Sequence, residues 1–190
     1  MAYMILIVVI GLIVIFSIWL WQNSPGSSVF VATEKTDQFP EVSGYNLDRK
    51  EFIFPRDFEG EHNLIMVAFQ QYHQNIVNTW IPHVQELEAE TPGFVYYELP
   101  TIKEMSLITR TFINEGMRAG IPDQTARERT VTLYIDKDKF TAALNIPDED
   151  DIYLFLVEED GSIIWREKGA YDGEKAGSLQ EILQEKLNLK

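Results

Sequence analysis

NLIMVAFQQYHQNIVNTWIPHVQELEAE, from Asn63 to Glu90, decides the fold. Leu64 to Phe69 is a solid apolar run of the kind that forms a strand buried on both faces. After it, Val77, Trp80, Ile81, Val84 and Leu87 recur at spacings of three and four, which gives a helix one apolar face for a sheet. Pro82 falls inside that helix, and an interior proline costs about 3 kcal/mol, so a kink or a break is expected after Ile81. A strand feeding a helix is the junction at which many α/β proteins place their chemistry. Here it reads Gln70, Gln71, Tyr72, His73, Gln74, Asn75, with no evident nucleophile.

Outward from that junction the pattern stays α/β. Upstream, Asn46 to Lys50 makes a polar turn and Phe52 to Phe54 an edge strand closed by Pro55. Downstream, Phe94 to Leu99 reads as a second buried strand, and Ile102 to Ala119 as a helix with Ile102, Met105, Ile108, Phe112 and Ile113 inward, stopped by Gly120, Ile121 and Pro122. Thr130 to Ile135 is a third strand, and Lys139 to Leu144 a short helix. Ile152 to Val157 and Ser162 to Arg166 form a hairpin turned at Asp160 and Gly161. Ser178 with Glu181 suggests a capping box for a last helix, with Leu179, Ile182, Leu183 and Leu187 as its stripe.

The first segment is of another kind. Residues 4–21 are continuously apolar except for Gly11 and Ser17, close to the roughly 20 residues that span a bilayer core. Trp19 and Trp21 stand where an interfacial aromatic belt belongs. A cleaved signal peptide is the competing reading, but it needs a charged start, a shorter apolar core and a small-residue cleavage site. The expected organisation is a transmembrane anchor over 1–22, a flexible linker over 23–38 beginning NSPGSS, and one globular domain over 39–190. Orientation is weakly specified, since no Lys or Arg precedes the span and the first after it is Lys35.

Composition excludes several functions. A net charge of −14 opposes binding to nucleic acid or to anionic surfaces. The absence of cysteine rules out disulfides, thiolate catalysis and Cys-ligated metal centres. His62, His73 and His83 are the only imidazoles and none pairs at ligand spacing, so no metal is expected. Asp148 to Asp151 lacks the glycine-turned spacing of a calcium loop and reads as a solvated loop. No Ser, His and Asp set is recognisable, and neither a cofactor nor a small-molecule substrate is predicted.

The stretches FPEVSG, GEHNLIMVAF and IYLFLVEEDGSIIWREKG resemble peroxiredoxin-type and membrane-anchored thiol-reductase domains across about Phe39 to Lys186. The resemblance implies a thioredoxin-like α/β sandwich with a central mixed sheet and an amino-terminal β extension. It also implies that two cysteines of redox members would stand at Gln74 and Val77, counted from the helix proline, so both thiols are replaced. Pro147 lies several residues before Ile152, whereas such families carry a proline immediately before the closing hairpin. RTFINEGMRAGIPD, from Arg110 to Asp123, and GSIIWREKGAYDGE, from Gly161 to Glu174, are similar to the cysteine-independent assembly factor of mitochondrial ATP synthase, a thioredoxin-like chaperone. Unlike that family, Ile163 and Ile164 precede Trp165 with no arginine between.

The reading that follows is a membrane-anchored, redox-inactive binding module, a chaperone or assembly factor for membrane protein clients, held to the bilayer through residues 4–21. Anchored domains of this resemblance usually face away from the cytoplasm, which implies an extracytoplasmic location. The expected partner surface combines Gln70, Tyr72 and Gln74 at the junction with Arg110, Arg118, Ile121 and Pro122 on the second helix. The arginines, eight apart, suit a carboxylate on a partner, with an ordinary exposed face as the alternative. Trp80 reads as core and Trp165 and Tyr171 as sheet packing. A cysteine-independent oxidoreductase or hydrolase using a bound cofactor in the same mouth is the alternative function.

Overall fold

A computed structural model describes residues 37–188. The predicted span over residues 4–21 lies outside them, and among the described residues no helix is long and apolar enough to cross a membrane. Asp37 and Gln38, at the end of the predicted linker, are already tied to the domain. The Ile163 N–H donates to the Asp37 carbonyl at 2.7 Å, and the Phe39 N–H to the Gly161 carbonyl at 2.8 Å.

Seven strands form one mixed sheet: β1 (Val42–Asn46), β2 (Glu51–Phe54), β3 (His62–Ala68), β4 (Phe94–Lys103), β5 (Val131–Ile135), β6 (Tyr153–Glu158) and β7 (Ile163–Lys168), in the order β2-β1-β5-β4-β3-β6-β7. The three central strands β3, β4 and β5 are parallel, with Leu64 opposite Tyr96 and Thr101 opposite Leu133. β6 runs antiparallel to β3 and β7 to β6, while the β1–β2 hairpin extends the sheet antiparallel to β5. Five helices connect them: α1 (Gln74–Glu90), α2 (Leu107–Gly120), α3 (Gln124–Arg129), α4 (Lys137–Ala143) and α5 (Gly173–Asn188).

Alternation along the strands divides the buried residues into two cores. Ile65 and Val67 face Phe52, Phe54, Phe58, Tyr97, Phe140 and Phe155. Leu64 and Met66 face Val77, Trp80, Val84 and Leu87 of α1 and Leu179 and Leu183 of α5. Of the kink or break expected after Ile81, the break does not occur, and that second core explains why. The helix runs unbroken through Pro82, because four buried side chains at helical spacing, each contributing about 1.5–3 kcal/mol, outweigh the proline's cost.

Three further expectations are corrected. β4 continues to Lys103, because pairing of Ile102 with Tyr134 and of Lys103 with Ile135 extends the strand past the expected helix start. α2 therefore begins at Leu107, capped by Ser106, whose Oγ accepts from the Thr109 N–H at 3.4 Å. Its expected inward face is only partly so: α2 buries no side chain, Ile113 is half-buried, and Ile108 and Phe112 are 85% and 81% exposed. Finally, Ser178 is not a cap. α5 starts at Gly173, with Asp172 accepting from the N–H groups of Glu174 and Lys175, and the Ser178 hydroxyl donates back to the Lys175 carbonyl.

Candidate functional site

The chain leaves β3 at Ala68, passes through a single 3-10 turn at Gln71–His73 and enters α1 at Gln74. Two hydrogen bonds fix this turn: the His73 N–H donates to the Gln70 carbonyl at 3.0 Å, and the Phe69 N–H donates to His73 Nδ1 at 3.2 Å. His73 is fully buried, with the exposed Tyr72 ring edge-on to it at 4.7 Å. Burial holds its imidazole below the usual histidine pKa, opposed by the nearby charges of Asp151, Asp150 and Glu149. The acidic loop is thus one wall of the mouth, a placement its composition did not reveal. It is also less free than a solvated loop, for Asp148 accepts from the Tyr153 hydroxyl and pairs with Lys168, and Glu149 pairs with Lys137.

Gln74, the first residue of α1, donates from Nε2 to Glu98 Oε2 at 3.0 Å and to Asn78 Oδ1 at 3.0 Å. Glu98 points from β4 toward the same side and is only 5% exposed. Burial pushes its carboxyl above the usual glutamate pKa, and the Gln74 bond pulls the other way. Val77, one turn further, is buried in the α1 core. The mouth therefore holds a closed amide–carboxyl pair, an aliphatic side chain and a histidine whose Nδ1 is already an acceptor, beneath a neutral rim of Gln70, Tyr72 and Gln74. Such a rim can hydrogen-bond amides and pack apolar groups, but carries no sulfur for electron exchange. Among the described residues no group of three or more His, Asp or Glu could hold a metal.

The second half of the predicted site is engaged in contacts within the domain. Arg110 folds back on its own helix, donating to the Met105 carbonyl at 2.8 Å and lying 5.1 Å above the Tyr134 ring. Arg118 is at the other end of α2, 3.7 Å from Asp48 in the β1–β2 turn. At about 1.5 Å per residue, Arg118 stands some 16 Å along the axis from Leu107. The carbonyls of Ile121 and Pro122 both accept from Arg127 Nη1, at 3.2 and 2.8 Å, and Arg127 also pairs with Asp48. Arg118, Ile121 and Pro122 thus belong to a structural clamp that turns α2 into α3.

The stretch from Gly161 to Glu174, with Trp80 against it, makes contacts within the domain as well. Trp80 is buried as expected, its Nε1 donating to the Gly169 carbonyl at 2.9 Å and its ring edge-on to Tyr171 and Trp165. Gly169 has φ +86°, and a Cβ there would lie 3.0 Å from Asp151 Oδ2. Trp165 donates to the Ser178 hydroxyl at 3.0 Å, and the Tyr171 N–H to the Thr79 hydroxyl at 2.9 Å.

No family model matches the chain, and no curated protein matches it. Solved structures do. A thiol:disulfide interchange protein from Bacteroides sp. superposes with a TM-score of 0.55 at 16% identity, over 78% of this chain and 90% of that one. The exposed lipoprotein thioredoxin of Streptococcus pneumoniae strain TIGR4 does so with a TM-score of 0.52 at 11% identity, over 77% and 99%. BsSco, of the Sco family of cytochrome c oxidase assembly proteins, gives a TM-score of 0.52 at 12% identity, over 79% and 95%. The fold is thioredoxin-like.

Gln74 and Val77, which sequence resemblance puts at the thiol positions, stand at the first turn of α1. Glu98 and the exposed Leu107, Ile108 and Phe112 were missed. For Glu98 the signal was available: an acid inside FVYYEL, on the same strand parity as Phe94 and Tyr96, must face a helix.

Proposed function

We propose that this chain is a membrane-anchored thioredoxin-like module without thiol chemistry, which holds a membrane protein partner at its mouth during assembly of a complex. The observation that carries the reading is the Gln74–Glu98 pair, a closed hydrogen bond beside the buried Val77 where redox relatives are expected to carry two thiols. The module is non-catalytic in this reading, and the recognition surface is the neutral rim Gln70, Tyr72 and Gln74. Arg110 and Arg118 stabilise α2 and are not part of it. Two further observations support an assembly role. BsSco, a structural neighbour, is described as belonging to a family of oxidase assembly proteins, and the Arg110–Asp123 and Gly161–Glu174 stretches resemble the ATP synthase assembly factor. Anchoring through residues 4–21 raises the effective concentration of a weak binder beside clients in the same bilayer, with the domain on the extracytoplasmic side.

The test is in-cell photocrosslinking from Tyr72, which is 58% exposed, with Glu181 on α5 as the comparison position. Recovery of one membrane protein from Tyr72 and not from Glu181 is expected. Equal recovery from both positions, or crosslinks to soluble proteins alone, overturns the reading.

A further inference from the structure

We propose that the first turns of α2 are a lipid-contact surface, with Leu107, Ile108 and Phe112 entering the interfacial region of a phospholipid bilayer; this rests on the anchored reading above. The three side chains are 77%, 85% and 81% exposed, the largest exposures among the large apolar residues described. They lie on one helix that gives the domain no buried side chain. The domain does not use them, and three large apolar groups left in water favour an apolar phase.

The charge distribution permits contact with lipid. The chain has 30 Asp and Glu, yet residues 105–114 hold none, and 62–85 hold neither acid nor Lys or Arg. The one charge on the first turns of α2, Arg110, is folded onto the Met105 carbonyl, Glu104 and Tyr134. Entering the headgroup boundary there desolvates no free charge, which is the condition for interfacial insertion. Glu104 and Glu115, which flank the stretch, are themselves ion-paired to Arg110 and Arg49.

Reach and strength fit a tethered contact. An anchor over residues 4–21, joined to the first described residue Asp37 by a short stretch of chain, keeps the domain near the bilayer. Three side chains are too few for stable binding in free solution and suffice once the surface is presented repeatedly by a tether. α2 follows β4, and Gln70 follows β3, its parallel neighbour, so both leave the sheet at the same pole. Lipid contact through α2 turns the mouth toward the membrane, where clients emerge.

The cysteine-free chain permits a direct test. Thr111→Cys, in the full-length protein, places an environment-sensitive fluorophore beside the patch while keeping its three apolar residues, and Glu181→Cys on α5 is the reference. In phosphatidylcholine vesicles carrying nitroxide lipid, quenching at position 111 is expected to exceed that at 181 at least threefold. It should fall to the reference level in Leu107→Ser/Ile108→Ser/Phe112→Ser. Equal quenching at 111 and 181, or quenching at 111 unaffected by the triple substitution, overturns the contact. So does label shielding that grows with protein concentration and ignores nitroxide lipid, which would mean that a second copy covers the patch. Alkaline carbonate extraction reads the anchor separately: retention without quenching at 111 removes only the lipid contact, whereas release with quenching intact removes only the anchor.

Discussion

The bond between Gln74 and Glu98 lends itself to a quantitative test. Gln74→Leu leaves the Glu98 carboxyl, 5% exposed, without its amide donor at 3.0 Å. A hydrogen bond to an ionised group is worth about 1.5–3 kcal/mol, and a neutral one about 0.5–1.5. For a domain of this size, 1 kcal/mol moves Tm by about 2–4 °C, so Gln74→Leu should lower Tm by roughly 3–12 °C where Glu98 is charged. The pH dependence has a definite sign. Burial raises the folded pKa of Glu98, so its contribution to stability is present below the unfolded pKa and is lost as pH rises through the folded one. Removing Gln74 raises the folded pKa further and deepens that loss. The destabilisation should therefore be larger at about pH 8 than at about pH 4. Glu98→Gln should be more stable than the wild type at the higher pH and close to it at the lower. In the Glu98→Gln background, Gln74→Leu should cost only the neutral bond. Thermal melts of the four proteins at both pH values provide the double-mutant cycle. Equal losses from Gln74→Leu in both backgrounds, or losses that ignore pH, would refute the coupling.

Other substitutions test other parts of the site. Gly169→Ala puts a Cβ at φ +86°, 3.0 Å from Asp151, and should cost about 1–2 kcal/mol in urea unfolding, whereas Gly116→Ala in α2, where a Cβ meets nothing within 4 Å, should gain up to about 1 kcal/mol. Arg127→Met removes the donor to the Ile121 and Pro122 carbonyls and the Asp48 ion pair; hydrogen exchange should accelerate at least tenfold at the end of α2 and through α3 while α1 is unchanged. Gln74→Cys/Val77→Cys places a dithiol at the start of α1, where the helix terminus lowers a thiol pKa. It should form a reversible disulfide and catalyse insulin reduction, which the cysteine-free chain cannot do; failure to form the bond would mean that these are not the thiol positions.

How much of the fold was legible depended on what each segment's pattern encoded. The run Leu64 to Phe69 and the stripe Val77, Trp80, Val84 and Leu87 carry their burial in their periods, and β3 and α1 follow them closely. The end of β4 was hidden because Pro100 and Thr101 read as a stop, while the pairing that prolongs the strand comes from β5, about 30 residues later. α3 is a short helix held by its Asp123 cap, too brief to show periodicity. At the site, the register that the resemblance implies for Gln74 and Val77 was legible, counted from Pro82. The Glu98 contact was not, since it joins residues 24 apart that only the β3–β4 register brings together.

α2 shows why a stripe in the sequence does not say which way it faces. At 100° per residue, Ile108 and Phe112 lie about 200° from Arg110 and Asn114 respectively, so only one of these two pairs can face the sheet. What the sheet offers there is Tyr134, whose hydroxyl donates to Asn114 at 2.8 Å and whose ring lies beneath Arg110. Asp48 in the β1–β2 turn adds an ion pair to Arg118, which lies on the side of Asn114. A polar contact surface on β5 and the hairpin thus draws Arg110, Asn114 and Arg118 inward, beside the half-buried Ile113 and Met117, and leaves Ile108 and Phe112 facing out. Replacing Tyr134 by Leu would remove both the hydroxyl donor and the electron-rich ring while offering an aliphatic surface. If the polar surface sets the rotation of α2, a fluorophore at Thr111→Cys should report a more buried environment in Tyr134→Leu; an unchanged emission would mean that the connections at either end of α2 set its facing instead.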